Sequence, residues 1–269
     1  MDTARLIAPE IDRLVLGVNQ AIEPRYAGEL HRAARRVGLD ALGPLIQFAD
    51  FLLGGTLTPE LAERRFPYLP PGTVASLFAD LEERGHVTVV GGIYRPDDAA
   101  RTVLETVISL RGSVAHDMWA DAHDVVIAAW HLAAPAVAAV TDDYPVAAAH
   151  RTLPDPEEPC LRLHHRLVTL RYVRAQAHVD AWRSRDLSPA QIVTLTALWH
   201  DEPHGSAGLD ALEGRGWVAG EPAALTDAGR TAREAIEADT TSGAEPVFDA
   251  LGEAGGQLVS QLASLPIHG

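Results

Sequence analysis

The chain has 269 residues, 47% of them hydrophobic, with 37 acidic against 22 basic residues and a formal charge of −15. That length holds two domains or one domain with a duplicated core, and no apolar run reaches the roughly 18 residues of a membrane span. The acid excess excludes a generally basic nucleic-acid surface, because phosphate neutralisation supplies most non-specific affinity; any test for DNA binding moves to the individual docking elements.

Cys160 is the sole cysteine, so no intrachain disulfide forms and a cytoplasmic location is expected. The opening residues lead into an amphipathic stretch with Glu10, Asp12 and Arg13, unlike a secretion signal. Residues 3–54 read as two or three helices, broken at Glu23-Pro24 and near Gly38. Leu57 to Arg64 and Gly72 to Arg84 form a helix pair across the proline-rich run from Phe66 to Pro71, and a hairpin from His86 to Tyr94 turns at Gly91-Gly92. Ala99 to about Val140 is helical, with Gly112 and Pro135 as kinks or breaks. The acidic loop from Leu153 to Pro159 precedes a second long helix, Leu161 to Arg185. Ser188-Pro189 then supplies a cap and a first-turn proline. A short helix within Gly205 to Arg215 and a hairpin from Trp217 to Leu225 follow, and Pro246 to Leu265 form a last helix packed on the body.

Two blocks of this pattern repeat. Leu81-Glu82-Glu83-Arg84-Gly85-His86-Val87 recurs as Leu212-Glu213-Gly214-Arg215-Gly216-Trp217-Val218, and Asp98-Ala99-Ala100-Arg101-Thr102 recurs as Asp227-Ala228-Gly229-Arg230-Thr231. In each copy a helix stops at Arg-Gly, where glycine suits the left-handed residue after a helix. A hairpin follows, and then an aspartate, Asp98 or Asp227, placed to cap the next helix. Helix, wing, helix is the winged-helix order. The fold expected is mainly α with small β-wings: tandem winged-helix modules joined by two long helices, divided into residues 1–140 and 141–269.

Winged helices insert the second helix of the pair into the major groove, where Arg, Lys, Asn and Gln read base edges. Here the first candidate carries Asp80, Glu82 and Glu83 against Arg84, and the second carries Asp210 and Glu213 against Arg215. Neither contains Asn or Gln, and the second wing has no basic residue. Conventional DNA reading is disfavoured. Arg25, Arg32, Arg35 and Arg36, and the pair Arg64-Arg65, read as solvated helix faces.

The helix from Leu161 places Leu163, Leu167, Leu170, Arg174, Ala177 and Ala181 on one stripe, with His178 one turn beyond Arg174 and with Arg171 and His164 flanking it. A guanidinium on an apolar face needs an anionic partner. That partner is either a carboxylate from another helix or the carboxylate or phosphate of a ligand gripped by Arg171 and Arg174 with His178 beside them. The preceding helix carries His116, Trp119, His123, Ile127 and Trp130 on one face, which either packs against its neighbour or walls a pocket for a flat ligand. His150 lies just before the second long helix and is a further candidate. No metal site is expected: there is no His-Glu-x-x-His motif, Cys160 has no cysteine partner, and the adjacent His164 and His165 point to different sides. No nucleophile elbow, phosphate loop or dinucleotide fingerprint occurs, and no cofactor is identified.

The chain resembles an actinobacterial helix-turn-helix family labelled SalK-like, distantly related to the MarR winged helices. The resemblance rests on Ala148-Ala149-His150, Leu153-Pro154, Glu158-Pro159, Leu161-Arg162-Leu163-His164-His165, Leu170-Arg171 with Arg174 and His178-Val179, and Leu225-Thr226 with Gly229-Arg230. Where the family has Arg-Gly-Asp-Gly-His, this chain has Arg174-Ala175-Gln176-Ala177-His178, without the acid and both glycines. The MarR relationship implies ligand sensing and transcriptional control.

The expectation is a small-molecule-binding protein, monomer or homodimer, with an anionic or aromatic ligand held by Arg171, Arg174, His178 and His164 and walled by Trp119, His123, Trp130 and His150. Two alternatives stand beside it: a MarR-like regulator binding DNA as a pseudo-dimer, and an enzyme of specialised metabolism that uses the Arg/His cluster with His178 or His150 as base.

Overall fold

A computed structural model describes residues 3–36 and 43–267. Among them the chain is mainly helical, with two small antiparallel hairpins. Helix α1 runs Thr3–Arg36 without the break expected at Glu23-Pro24, while Gly38 lies outside the described residues. Two short helices, α2 (Gly43–Gln47) and α3 (Ala49–Gly54), lead to the pair α4 (Pro59–Arg65) and α5 (Thr73–Glu83). The first hairpin pairs β1 (Val87–Val90) with β2 (Ile93–Pro96), Val87 opposite Pro96, and Tyr94 N–H donates to Leu57 O at 2.8 Å to tie it to the chain before α4. No described helix is long and apolar enough to cross a membrane.

The long helix expected from Ala99 to Val140 is two helices, α6 (Asp98–Trp119) and α7 (His123–Ala138), separated by a 3-10 turn at Ala120–Ala122. Neither Gly112 nor Pro135 ends a helix. Gly112 lies inside α6, where an added Cβ would stand 3.4 Å from Leu161 Cδ2, and Pro135 is accommodated inside α7. After α8 (Pro145–Arg151) comes α9 (Pro159–Arg183), started by Glu158, whose carboxylate accepts from Leu161 N–H at 2.6 Å. Helix α10 (Pro189–Trp199) opens on a capping box in which Ser188 and Gln191 each bond the other's backbone. Then come α11 (Leu209–Gly214), the second hairpin of β3 (Val218–Ala219) and β4 (Ala224–Leu225), and α12 (Asp227–Phe248). The last helix starts later than expected. Pro246 sits inside α12, a 3-10 turn follows at Asp249–Leu251, and α13 (Ala254–Ser264) closes the chain.

The repeated sequence blocks make the same backbone bonds. Gly85 (φ +78°) and Gly216 (φ +69°) are both left-handed. Gly85 N–H donates to Glu82 O and His86 N–H to Leu81 O; Gly216 N–H donates to Glu213 O and Trp217 N–H to Leu212 O. This is the paired termination in which a glycine after the helix satisfies its last carbonyls. The caps of the following helices are one residue earlier than expected. Asp97 accepts from Ala100 N–H at 2.7 Å and Thr226 from Gly229 N–H at 3.1 Å, which leaves Asp98 and Asp227 as first helical residues. There their charge still favours the positive helix end.

The surroundings of the two units differ. The first merges with the main core through Phe78, which stacks on Tyr94 at 4.1 Å and meets Phe48 edge-on at 5.2 Å. That core crosses position 140 and takes in side chains from Ala4 to Leu265. The second unit has a small core of its own, built on Trp182, Ile192, Leu195, Leu212, Val218 and Ile236. Gly229 locks that core. A Cβ there would lie 2.1 Å from the Trp217 carbonyl oxygen, a backbone atom that cannot swing aside. Gly229→Ala should therefore lower stability by about 2–3 kcal/mol. Gly214→Ala, on a helix with open space around it, should be neutral or stabilising by up to about 1 kcal/mol. Urea midpoints of the two variants check the pair.

Candidate functional site

Helix α9 is packed by α12, α7, α8, α1 and α6, and its buried residues include Leu163, Leu167, Leu170, Ala177 and Ala181 of the predicted stripe. Its polar side chains accordingly reach for partners on those neighbours. Arg171 Nε donates to Asp12 Oδ1 of α1 at 2.8 Å, and Arg174 Nη2 donates to Glu237 Oε2 of α12 at 2.7 Å. Arg233 also bonds Glu237 from the same helix. Burial alone would push the Glu237 carboxyl up, and Arg233 and Arg174 together hold it below the ordinary glutamate range. Arg174 is thus half-buried with a protein carboxylate, the first of the two partners weighed for it.

His178 Nδ1 lies 3.1 Å from Thr240 Oγ1, and that hydroxyl donates to Ile236 O at 2.7 Å. The hydroxyl proton is therefore committed to the carbonyl, Nδ1 carries the donated hydrogen, and Nε2 keeps its lone pair. Burial, followed by the charge of Arg233, lowers the His178 pKa to about 4.

Arg171, Arg174 and His178 line a groove of about 370 Å³, within the size range of small-molecule sites. Its opposite wall is the end of α4, with Arg64 and Arg65, and the segment that follows it, with Phe66, Pro67, Tyr68 and Leu69. Four arginines and one carboxylate, Asp12, face this space. Arg64 is engaged by Glu60 at 2.9 Å. Arg65 differs: among the described residues it has no carboxylate partner, its Nε donates to Tyr172 Oη at 3.1 Å, and its guanidinium lies over the rings of Tyr172 and Phe66 at 4.8 and 4.9 Å. Tyr68 stands over His178 and Trp182, with ring centroids 6.4 and 6.3 Å away. A larger cleft of about 850 Å³ lies behind the Arg174–Glu237 pair. Asp12, Glu234, Glu237 and Glu245 line it against Arg5 and Arg174, so its charge opposes an anion.

The other predicted site residues lie elsewhere. Trp119 is fully buried in the core, with Nε1 donating to Pro266 O at 3.0 Å. His123 is exposed at the start of α7. Trp130 sits at the seam of α7 and α9, under the guanidiniums of Arg162 and Arg166 at 4.5 and 5.1 Å. The helical break at Ala120–Ala122 disperses this stripe, and none of the three lines the groove. His150 and His164 fall in a buried cluster with Asp50, Arg111 and His165. There His150 stacks on His165 at 4.2 Å, and Arg111 Nη1 donates to Asp50 Oδ2 at 2.7 Å. Burial would raise the Asp50 pKa, and Arg111 with the neighbouring imidazoles holds it well below the usual carboxylate range. Burial pushes all three imidazoles down, His164 to about 3.

The sequence places Arg65 on a solvated helix face, whereas it is stacked on Tyr172 and Phe66, and sequence reasoning missed the roles of Asp12 and Asp50. The aromatic and proline run directly after Arg65 was the one available signal, since it bends the chain and stacks the guanidinium. Asp12 and Asp50 meet their partners 159 and 61 positions away, and no local pattern reports that.

The sequence model of a helix-turn-helix family matches residues 68–266, from Tyr68 of the groove through both hairpins to the residues after α13. No curated protein and no solved structure matches the chain.

The ordinary histidine pKa is 6.5 and that of folded His178 is about 4, so the unfolded chain binds more protons between these values. The stability contributed by the neutral ring is therefore full above about pH 6.5 and is lost as pH falls toward 4. An NMR titration of the His178 ring should show little protonation down to pH 5 and a midpoint near 4. A midpoint near the ordinary value would mean that the ring is solvated rather than held against Thr240.

Proposed function

The chain belongs to a helix-turn-helix family, a DNA-binding or regulatory scaffold, and from that premise we propose that it binds an anionic small molecule, with an aromatic or other flat body, in the groove between α9 and the segment after α4. The observation that carries this reading is Arg65: a stacked guanidinium facing a mid-sized groove, with no carboxylate partner among the described residues. Arg fits planar carboxylate or phosphate groups through paired hydrogen bonds. Arg171 and Arg174 stand across the groove, Arg171 paired with Asp12 on the groove wall and Arg174 with Glu237 behind it, and Phe66, Tyr68 and Val179 offer the apolar surface.

We read the two helix–helix–hairpin–helix units as a duplicated winged-helix module of SalK-like type, distantly MarR-related. The matched glycine terminations and the matched caps at Asp97 and Thr226 support this. The helices that would enter a major groove argue against conventional DNA reading. On α5 the exposed face holds Asp80, Glu82 and Glu83, and Arg84 is paired with Asp80 at 3.1 Å. Helix α11 spans only six residues, and Arg215 beyond it is bonded to the carbonyls of Arg185 and Asp186.

A second reading, a regulator that binds DNA with its two units as a pseudo-dimer, is favoured by the family match and by the backbone correspondence of the units. Two assays separate the readings. Calorimetry against a panel of aromatic carboxylates and phosphorylated metabolites should find a binder whose affinity falls about 10–100-fold in Arg65→Ala and Arg174→Ala, the cost of losing a charge-assisted bond. Arg65→Lys should restore little of it, because the stacked, forked geometry is lost. A panel with no binder, or binding indifferent to both arginines, contradicts the groove. A salt-sensitive gel shift with promoter DNA from the protein's own locus favours the second reading.

A further inference from the structure

Behind Tyr172, away from the groove, α3, α6, α8 and α9 close on a second and much smaller space. It measures about 20 Å³ and is lined by Asp50, Arg111, His150, His164 and His165 together with apolar Ile108, Leu161 and Val168. That is room for a single occupant of water size. One ligand-type atom from each of Asp50, His150 and His165 lies within 4.8 Å of the other two. A zinc-sized ion holds nitrogen and oxygen ligands at about 2.0–2.2 Å, which sets tetrahedral ligand atoms about 3.4 Å apart. His150 and His165, stacked at 4.2 Å, would have to turn their rings for both lone pairs to meet one ion.

The hydrogen bonds around the cavity prepare the imidazoles. His150 Nδ1 lies 2.8 Å from Thr169 Oγ1, and that hydroxyl donates to His165 O at 3.2 Å. Thr169 therefore accepts from His150 Nδ1–H, which leaves the lone pair on Nε2. A histidine ligand whose other nitrogen donates to a protein oxygen is the usual outer-shell arrangement at metal sites. His164 is 1% exposed, and its Nε2 has no hydrogen-bond partner among the described residues. Asp50 has one oxygen held by Arg111, a hydrogen bond of the kind that orients ligating carboxylates, and keeps the other. One carboxylate beside a guanidinium is a poor site for calcium or magnesium, which need several oxygen ligands. Imidazoles suit zinc and ferrous ions.

We propose that this cluster binds one divalent first-row transition-metal ion through Asp50, His150 and His165, with His164 as a further donor at its edge. The site is separate from the groove proposed for the anionic ligand and does not depend on that reading.

The test uses the full chain, stripped with a chelator and titrated with zinc. One ion should bind per chain, and Kd should rise at least 100-fold in His150→Ala and in His165→Ala. His116→Ala and Cys160→Ser should bind as the parent does, although His116, Glu158 and Cys160 form a second group of metal-type donors within 4.8 Å of one another. X-ray absorption of the parent zinc complex should show only nitrogen and oxygen neighbours, with imidazole scattering, and this readout holds even where a variant fails to fold. Three results would overturn the proposal: no stoichiometric zinc binding by the parent, sulfur in the coordination shell, or affinity unchanged in a folded His165→Ala.

Discussion

A helix buried along most of its length must still place its charged side chains, and α9 carries Arg162, Arg166, Arg171 and Arg174 as well as three histidines. Leaving a guanidinium unpaired in such surroundings costs several kcal/mol, so each one selects a neighbour. Arg162 bonds the carbonyls of Pro156 and Glu157, and Arg166 bonds Trp130 O and Asp155; these fix the loop before α9 and the seam with α7. Arg171 ties α9 to α1 and Arg174 ties it to α12. Much of the arrangement of helices around α9 answers the polar load of this one segment. The groove opens beside Arg171 and Arg174, and the imidazole cluster forms around His164 and His165.

The sequence carried the elements with strong local signals. Ser188-Pro189 opens a helix because the hydroxyl, the ring and Gln191 all act within one turn. The hairpins follow from glycines at the helix ends and at the first turn, and the repeat is visible because Leu81 and Leu212, and Val87 and Val218, are buried alike. Continuity was harder to judge. Pro24, Pro135 and Pro246 all lie within helices, and in α7 and α12 the tertiary packing of the helix outweighs the lost backbone bond. The true break at Ala120–Ala122 has no glycine or proline to announce it.

The candidate site was legible in half. Arg171, Arg174 and His178 fall together as helical spacing requires, because they share one face of one helix. Trp119, His123 and Trp130 do not join them: Trp119 lies before the 3-10 turn in the core, His123 is exposed, and Trp130 meets α9 at Arg162 and Arg166. Pairing His164 with His165 by sequence alone gives two rings that diverge. In the fold both rings nonetheless line one cavity, because α8 brings His150 onto His165 and α3 brings Asp50 alongside. Contacts across long separations decide such clusters, and no periodicity encodes them.

Membership of a helix-turn-helix family and a net charge of −15 pull in opposite directions only if the scaffold must read bases. Acid on α5, a short α11 and a basic groove elsewhere are reconciled if the scaffold presents a binding site between α9 and the chain at the end of α4. Backbone amide NMR of the labelled full chain tests this most directly, with promoter duplex and an aromatic carboxylate mixture added in separate titrations. The account predicts that the carboxylates perturb residues 64–69 and 171–179 and that the duplex leaves residues 73–83 and 209–215 unmoved at physiological salt. Perturbation of those two helices by the duplex, with the groove silent to the carboxylates, would contradict it.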